Sequence, residues 1–367
     1  MRIVRLISRI ITGIVFIFSG IVKAIDPLGS AYKFHDYFQA FHIGFLSSIS
    51  LVLSIILCTT EFIVGFSVLT GIRQKSGIIV VMLLMLIFTP VTLVLALTNP
   101  VSDCGCFGDA IHLTNWQTFG KNIVLIILAL ILLLTQKQIR QLFNTFMEWL
   151  IISSVIVLFI IFSFSNLIFL PIVDFLPYKQ GVKIAGKMVV PPGVAVDEYS
   201  TVLIYEKGGI RKKFTIENYP ANDTTWKFIE QKSVITKKGY KPPIHDFSIT
   251  SMDGTDITQK VLSDKGYSVL MLSKKLDEAD KKRLSEGFKL GEYCTNNGIE
   301  FYILTASGTN ELKSIKNGLG FYSVDETTLK TMIRANPGYI LLNNGTIEHK
   351  WSWANVPAKE WFAKLPK

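Results

Sequence analysis

The sequence predicts an α-helical membrane bundle of five spans, followed by a β-rich linker region and an α/β domain. Three observations carry this prediction. Five stretches of about 20 mainly apolar residues, the length that crosses about 30 Å of hydrocarbon, lie within the first 170 positions. Charge is divided unevenly: residues 1–170 hold 10 Lys and Arg with 6 Asp and Glu, whereas residues 171–367 hold 28 and 22. From residue 244 onward short apolar runs alternate with amphipathic ones, the order of a mixed sheet covered by helices. With 49% hydrophobic and only 18% charged residues, against about 25% charge in a soluble domain, the composition excludes a wholly soluble protein. It also excludes disorder, which needs the opposite balance.

The spans are expected at residues 3–24, 47–69, 77–97, 120–134 and 149–170. The fourth is the weakest, because its purely apolar run at 123–134 is short and borrows residues 118–122 to reach full length. Arg2, Arg5 and Arg9 ahead of an apolar stretch resemble a signal peptide. However, Val22-Lys23-Ala24 is a poor cleavage site and four more apolar segments follow. Basic residues accumulate in short cytoplasmic loops, so these arginines place the N-terminus inside. Arg73 and Lys75 in the second loop, and Lys137 and Arg140 in the fourth, fall inside by the same rule. The loops at 26–46 and 98–117, and everything after Leu170, are then outside. No interleaved basic and aromatic motif points to nucleic acid.

In the polar half, residues 201–205 and 211–216 flank Lys207-Gly208-Gly209 and read as a hairpin. The β-rich linker ends in the basic stretch 237–241 and the breaker Pro242-Pro243. Strands follow at 245–250, 267–272 and 300–306, helices at 278–296, 311–317 and 327–335, a hairpin of 339–343 and 346–351 across Asn344-Gly345, and a last helix at 358–364. The residues Asp246-Phe247-Ser248-Ile249 with Asp253-Gly254, Val269-Leu270-Met271-Leu272, and Asn336-Pro337-Gly338-Tyr339-Ile340-Leu341 with Asn343-Asn344-Gly345 come in a telling order. This order resembles the thioredoxin fold, in its membrane-tethered thiol-disulfide and peroxidase-like branch. The resemblance implies that Pro337 occupies the cis-proline position. It fails where Cys-x-x-Cys belongs, for the sequence there is Ser273-Lys274-Lys275-Leu276-Asp277, with no thiolate to attack a disulfide. Cys294, within the helical stretch, reads as a small hydrophobe.

The third loop holds Asp103-Cys104-Gly105-Cys106-Phe107-Gly108-Asp109. Two cysteines one residue apart close only a tight ring, and strained disulfides are the easily reduced ones that serve exchange. An oxidising outer compartment suits them. Two alternatives stand beside this: an oxidised, inert pair or one bonded to other partners, and a metal site of Cys104, Cys106, Asp109 and His112, whose spacing matches no standard pattern. Water access favours a thiolate at Cys104, whereas Asp103 and Asp109 oppose it. Glu61 lies well inside the second span, where ionisable groups are costly and mark function. It is either a proton-handling or quinone-contacting group, or a polar anchor bonded from another helix by a residue such as Ser19. Cys58 lies one turn away on a similar face, and His35 and His42 read as surface groups.

Phe16-x-Phe18-Ser19-Gly20 with Lys23 and Asp26-Pro27, then Glu61-Phe62-x-x-Gly65 with Leu69-x-Gly71-x-Arg73, then the Cys-Gly-Cys loop, recur in order over residues 1–135. Together they resemble the DoxX and MauE group of small redox-associated membrane proteins. The resemblance implies a four-helix bundle in the cytoplasmic (inner) membrane of a bacterium, with thiol or respiratory redox chemistry. To it this chain adds a fifth helix (136–170), the linker (171–240) and the thioredoxin-like domain (241–367). The expected function is a membrane thiol-disulfide redox protein. Cys104 and Cys106 carry the chemistry, Asp103, Gly105, Phe107 and Gly108 support the loop, and Glu61 contacts protons or a membrane quinone, the candidate cofactor. Its partners would be lipid and an extracytoplasmic thiol or client protein. The competing function is a non-catalytic, membrane-anchored assembly factor whose soluble domain recognises clients. A transporter is disfavoured, because no repeat of broken spans is present.

Overall fold

The structure is a computed structural model that describes residues 2–101, 103–136, 143–196, 198–221, 223–237, 239–308, 311, 312, 315 and 318–366. Among the described residues five helices are long and apolar enough to cross a membrane. They are α1 (Arg2–Ile25), α3 (Ser50–Thr70, continuing a 3₁₀ turn at Gly44–Ile49), α4 (Gln74–Thr98), α5 (Asn115–Thr135) and α6 (Thr145–Phe169). Their burial is inverted relative to a soluble bundle. Leu83, Leu86, Leu97, Leu134 and Leu158 face outward, whereas Thr12, Ser54, Ser67, Thr92, Asn122 and Ser163 are buried. Hydrocarbon solvates the first group, whereas the second is kept away from it inside the bundle, where Ser54, Ser67, Thr92 and Asn122 find hydrogen-bond partners within the protein. Asn122, for instance, donates to Thr92 Oγ1 at 3.1 Å, joining α5 to α4.

Helices α1 and α3 approach most closely, and glycine makes this possible. A Cβ on Gly20 would lie 2.6 Å from the Phe62 nitrogen, and one on Gly65 2.6 Å from the Ile17 nitrogen. Phe16, Val64, Val68, Ile78, Val81, Met85, Leu125 and Leu132 then fill the bundle core. The segment 26–46, expected to be a loop, instead contains a helix, α2 (Pro27–Ala40). Its start signal is local: the Asp26 carboxylate accepts from the Gly29 N–H, and Pro27 occupies the first turn. The weak fourth span is also longer than its apolar run, since a capping box between Thr114 and Gln117 starts α5 at Asn115. Lys137 and Arg140 lie outside the described residues.

Beyond α6, residues 176–188 pack against the C-terminal sheet. Tyr178 and Ile184, the latter opening α7 (Ile184–Met188), enter its core, and the Gly181 and Ile184 amides donate to the Ile347 and Gly345 carbonyls. A separate three-stranded sheet follows, in the order β2-β1-β3, from β1 (Glu198–Lys207), β2 (Ile210–Thr215) and β3 (Lys227–Lys237). The expected hairpin turns at Gly208 and Gly209, both with positive φ; β3 adds a third strand to it, antiparallel to β1.

The C-terminal part contains β4 (Thr250–Ser251), α8 (Thr258–Ser263), β5 (Tyr267–Ser273), α9 (Lys281–Asn296), β6 (Glu300–Thr305), β7 (Phe321–Ser323), α10 (Glu326–Met332), β8 (Gly338–Asn343), β9 (Thr346–Ser352) and α11 (Lys359–Phe362). They form one mixed sheet in the order β4-β7-β6-β5-β8-β9, with β5 parallel to β6 and antiparallel to β8. Alternate residues serve opposite faces. Leu270, Leu272, Leu304, Ile340 and Leu342 face one layer, and Val269, Met271, Ile303, Tyr339 and Leu341 the other, where Cys294 is also fully buried. The strand expected at 245–250 shrinks to β4. The Ile249 amide is taken by Thr258 Oγ1 at 2.7 Å and its carbonyl by the Ile257 N–H, so side-chain and local bonds replace a ladder there. The helix expected at 311–317 falls largely on residues outside the description.

Candidate functional site at the cysteine loop

Two left-handed turns shape the loop between α4 and α5: Gly105 (φ +65°) and Gly108 (φ +53°). At Gly105 glycine is required twice over, because a Cβ would also meet Lys33 Cγ at 2.9 Å. The Asp103 carboxylate accepts from the Gly105 N–H at 2.5 Å and from Lys33 Nζ at 2.9 Å, with His112 Nδ1 at 3.2 Å. Phe107 stands edge-on to Phe18, with ring centroids 5.4 Å apart. These bonds bring the sulfurs of Cys104 and Cys106, both free, to 2.7 Å. The Tyr37 hydroxyl on α2 donates to the Cys104 carbonyl.

Beneath the loop the bundle holds a buried ion pair. Lys23 Nζ lies 2.8 and 2.7 Å from the two Glu61 oxygens and 2.9 Å from Ser19 Oγ. Ser19 was the partner anticipated for Glu61; Lys23, which neutralises it, was not. Ser19 Oγ is 2.8 Å from both Glu61 Oε2 and the Cys106 carbonyl. A hydroxyl has a single proton to donate, so Ser19 serves one acceptor at a time and ties the ion pair to the cysteine loop. Cys58, one turn from Glu61, is fully buried beside Ala24 and Phe159.

The resistance to ionisation expected at Cys104 is present but comes from its contact with Cys106 and from burial, not from the aspartates. The thiolate is favoured on Cys106. A hydrogen bond from the Cys104 thiol, helped against burial by the charges of Lys121 and Lys23, lowers the Cys106 thiol to about 6. Cys104 moves upward, first through the same contact with Cys106 and then through burial. The two acidic neighbours are otherwise engaged. Burial alone would raise Asp103, yet its bonds from Lys33 and the Gly105 amide hold it below the usual carboxylate range, and Asp109 accepts from Arg334 Nη2 at 2.7 Å. Among the described residues no three His, Cys, Asp or Glu side chains cluster as a metal site would require.

Two further features were not legible in advance. Lys121, near the start of α5, places its ammonium 4.8 Å from the Phe107 ring centroid and has no carboxylate partner among the described residues. Arg334, between α10 and β8, is only 7% exposed. Besides Asp109 it bonds Asp26 Oδ2 through Nε at 2.8 Å. Lys274 Nζ, in the segment that lacks cysteine, meets the Tyr32 hydroxyl at 2.5 Å. The end of the C-terminal sheet that carries residues 273–275 and the cis Asn336–Pro337 peptide thus rests on the bundle beside the cysteine loop. Between α1–α5 and this loop lies a cavity of about 300 Å³, bordered by Cys104, Cys106, Lys23, Glu61 and Lys121.

Residues 1–135 match the family model of methylamine utilisation protein MauE. Residues 199–238, the three-stranded sheet, match a domain of unknown function (DUF8463). No curated protein and no solved structure matches the chain. The chain is therefore a multi-pass membrane protein whose first 135 residues are MauE-like, a class consistent with a redox-associated role in the membrane.

Proposed function

We propose that this protein is a membrane thiol-disulfide oxidoreductase whose working pair is Cys104 and Cys106. The observation that carries the reading is the pair itself: two free sulfurs 2.7 Å apart, on a glycine-shaped loop, beside a cation that favours one thiolate. In the oxidised state an extracytoplasmic client thiolate attacks Cys104 Sγ, and Cys106 leaves as the thiolate, because the sulfur with the lower pKa leaves faster. A second client thiolate then displaces Cys104. The client gains a disulfide and the loop gains two thiols, so the client is oxidised and the loop reduced. The outward orientation rests on the basic residues Arg2, Arg5, Arg9, Arg73 and Lys75.

The C-terminal sheet is thioredoxin-like in this reading but performs no exchange, since residues 273–277 hold no cysteine and this end of the sheet is turned to the bundle. That contact also favours a second reading, in which the chain is an anchored assembly factor and the cysteines only staple the loop. Cys106→Ser separates the two. It should trap mixed disulfides between Cys104 and client proteins in cells, and these should vanish in Cys104→Ser. If neither substitution impairs function, or differential alkylation never finds the pair oxidised, the assembly-factor reading replaces the redox one.

A further inference from the structure

If Cys104 and Cys106 oxidise clients, the two electrons they collect need an acceptor, and the cavity below them is built for one that dissolves in the bilayer. Its deep wall is apolar and closed: Phe16, Phe38, Met85 and Leu95 are each less than one tenth exposed. Its mouth is formed by Phe41, Ile87 and Val91, which are 40, 59 and 38% exposed. Ile87 and Val91 belong to the membrane-spanning α4, so the opening faces lipid rather than water. At about 300 Å³ the space is at the small end for a ligand pocket. It admits one ring and leaves a long tail in the hydrocarbon.

An acyl chain would also fit an apolar cleft, but it would waste what lies at the inner end. There the wall changes character, to Cys106, Lys121 and the Lys23–Glu61 pair. Buried charge in hydrocarbon is costly and marks a substrate or proton path. Lys23 has all three donors committed, two to Glu61 and one to Ser19. Lys121 has no carboxylate among the described residues and is the cation available to a ligand oxygen. A flat, mainly apolar molecule with polar oxygens that accepts two electrons and two protons satisfies every part of this lining.

We infer that the cavity binds the ring of an isoprenoid quinone, with its tail leaving past Val91, and that this quinone reoxidises Cys104 and Cys106. The inference rests on the thiol-disulfide reading above. In the net step the two S–H bonds are lost and one S–S bond forms. The two electrons and two protons reappear on the quinone as its hydroquinone. Lys121 orients one ring oxygen, and the Lys23–Glu61 pair stands where a proton must pass.

The test uses the full chain in lipid nanodiscs, reduced, freed of reductant, kept anaerobic and mixed with ubiquinone-1. Quinone absorbance should fall by one molecule for each pair of thiols lost to alkylation. Val91→Trp, a change on the lipid-facing surface that fills the mouth, should slow this oxidation roughly tenfold or more while oxidation by glutathione disulfide proceeds as in the unmodified chain. Photolabelling with an azido-quinone in the Cys104→Ser, Cys106→Ser double variant should mark α2 and α4 without any redox step. If glutathione disulfide oxidises the pair but the quinone does not, or if Val91→Trp reacts with quinone at the full rate, the inference fails and the thiol-disulfide reading stands. If neither oxidant acts on the pair, the thiol-disulfide reading itself has failed.

Discussion

At the scale of single residues, the chemistry turns on which sulfur is ionised. The Cys106 thiol sits near 6 because the Cys104 thiol donates to it, with the charges of Lys121 and Lys23 acting against burial. A lowered thiol is reactive above its pKa and silent below. Alkylation of Cys106 in the reduced protein should therefore rise as pH climbs through about 6 and level off by neutrality, while Cys104 stays slow. Lys121→Met removes a charge and should move that midpoint upward, toward the ordinary thiol range of about 8.5. Cys104→Ala should raise it further and Cys104→Ser less, because a serine hydroxyl still donates. Mass-resolved alkylation against pH reads all four proteins; an unchanged midpoint in Lys121→Met would show that the charge plays no part. The cysteines were legible because they are neighbours in the chain. Lys121 was not, because it stands alone at the edge of an apolar run and gains meaning only when α5 brings it under the loop.

At the scale of elements, α1 and α3 form the frame on which the site is mounted. Gly20 and Gly65 let the two backbones meet, and that closeness puts Lys23 against Glu61 at 2.7 Å. Removing one partner of a buried pair leaves an uncompensated charge, at about 3–5 kcal/mol. Glu61→Gln and Lys23→Met should each lower the unfolding midpoint in detergent, and the double variant should recover most of the loss because no charge is then stranded. Simple additivity of the two losses would show that the residues do not act as a pair. The spans were readable from apolar length, which the bilayer dictates. Helix α2 was hidden because its residues 27–40 mix polar and apolar groups without a strong stripe, although Asp26 and Pro27 are the start signal of a helix. Strand β3 was hidden for a related reason: at an exposed sheet edge, charged residues such as Lys227, Glu230 and Lys232 interrupt the apolar alternation.

At the scale of the whole molecule, one guanidinium bridges the two halves at two points. Arg334 reaches Asp26 through Nε and Asp109 through Nη2, linking the C-terminal sheet to the start of α2 and to the far end of the cysteine loop. No sequence pattern could have announced this, since the partners lie more than 200 positions away and neither aspartate's own surroundings in the chain point to an arginine. The fork geometry is specific to arginine, as a lysine ammonium is a point charge that cannot span two carboxylates in the same way. Arg334→Leu leaves the buried Asp26 and the half-buried Asp109 without their cation, so the domain should lift from the bundle and the loop should lose its anchor at Asp109. Hydrogen exchange should then rise at residues 103–111 and in α2 while the core strands β5 and β8 remain protected, and Arg334→Lys should recover only part of that protection. The loop should also lose pairing geometry, so oxidation of Cys104 and Cys106 should slow in Arg334→Leu although neither sulfur touches the arginine. Exchange that rises equally in β5 and β8 would mean that the substitution unfolds the domain, and the arginine would then be a core residue rather than a clamp between domain and loop.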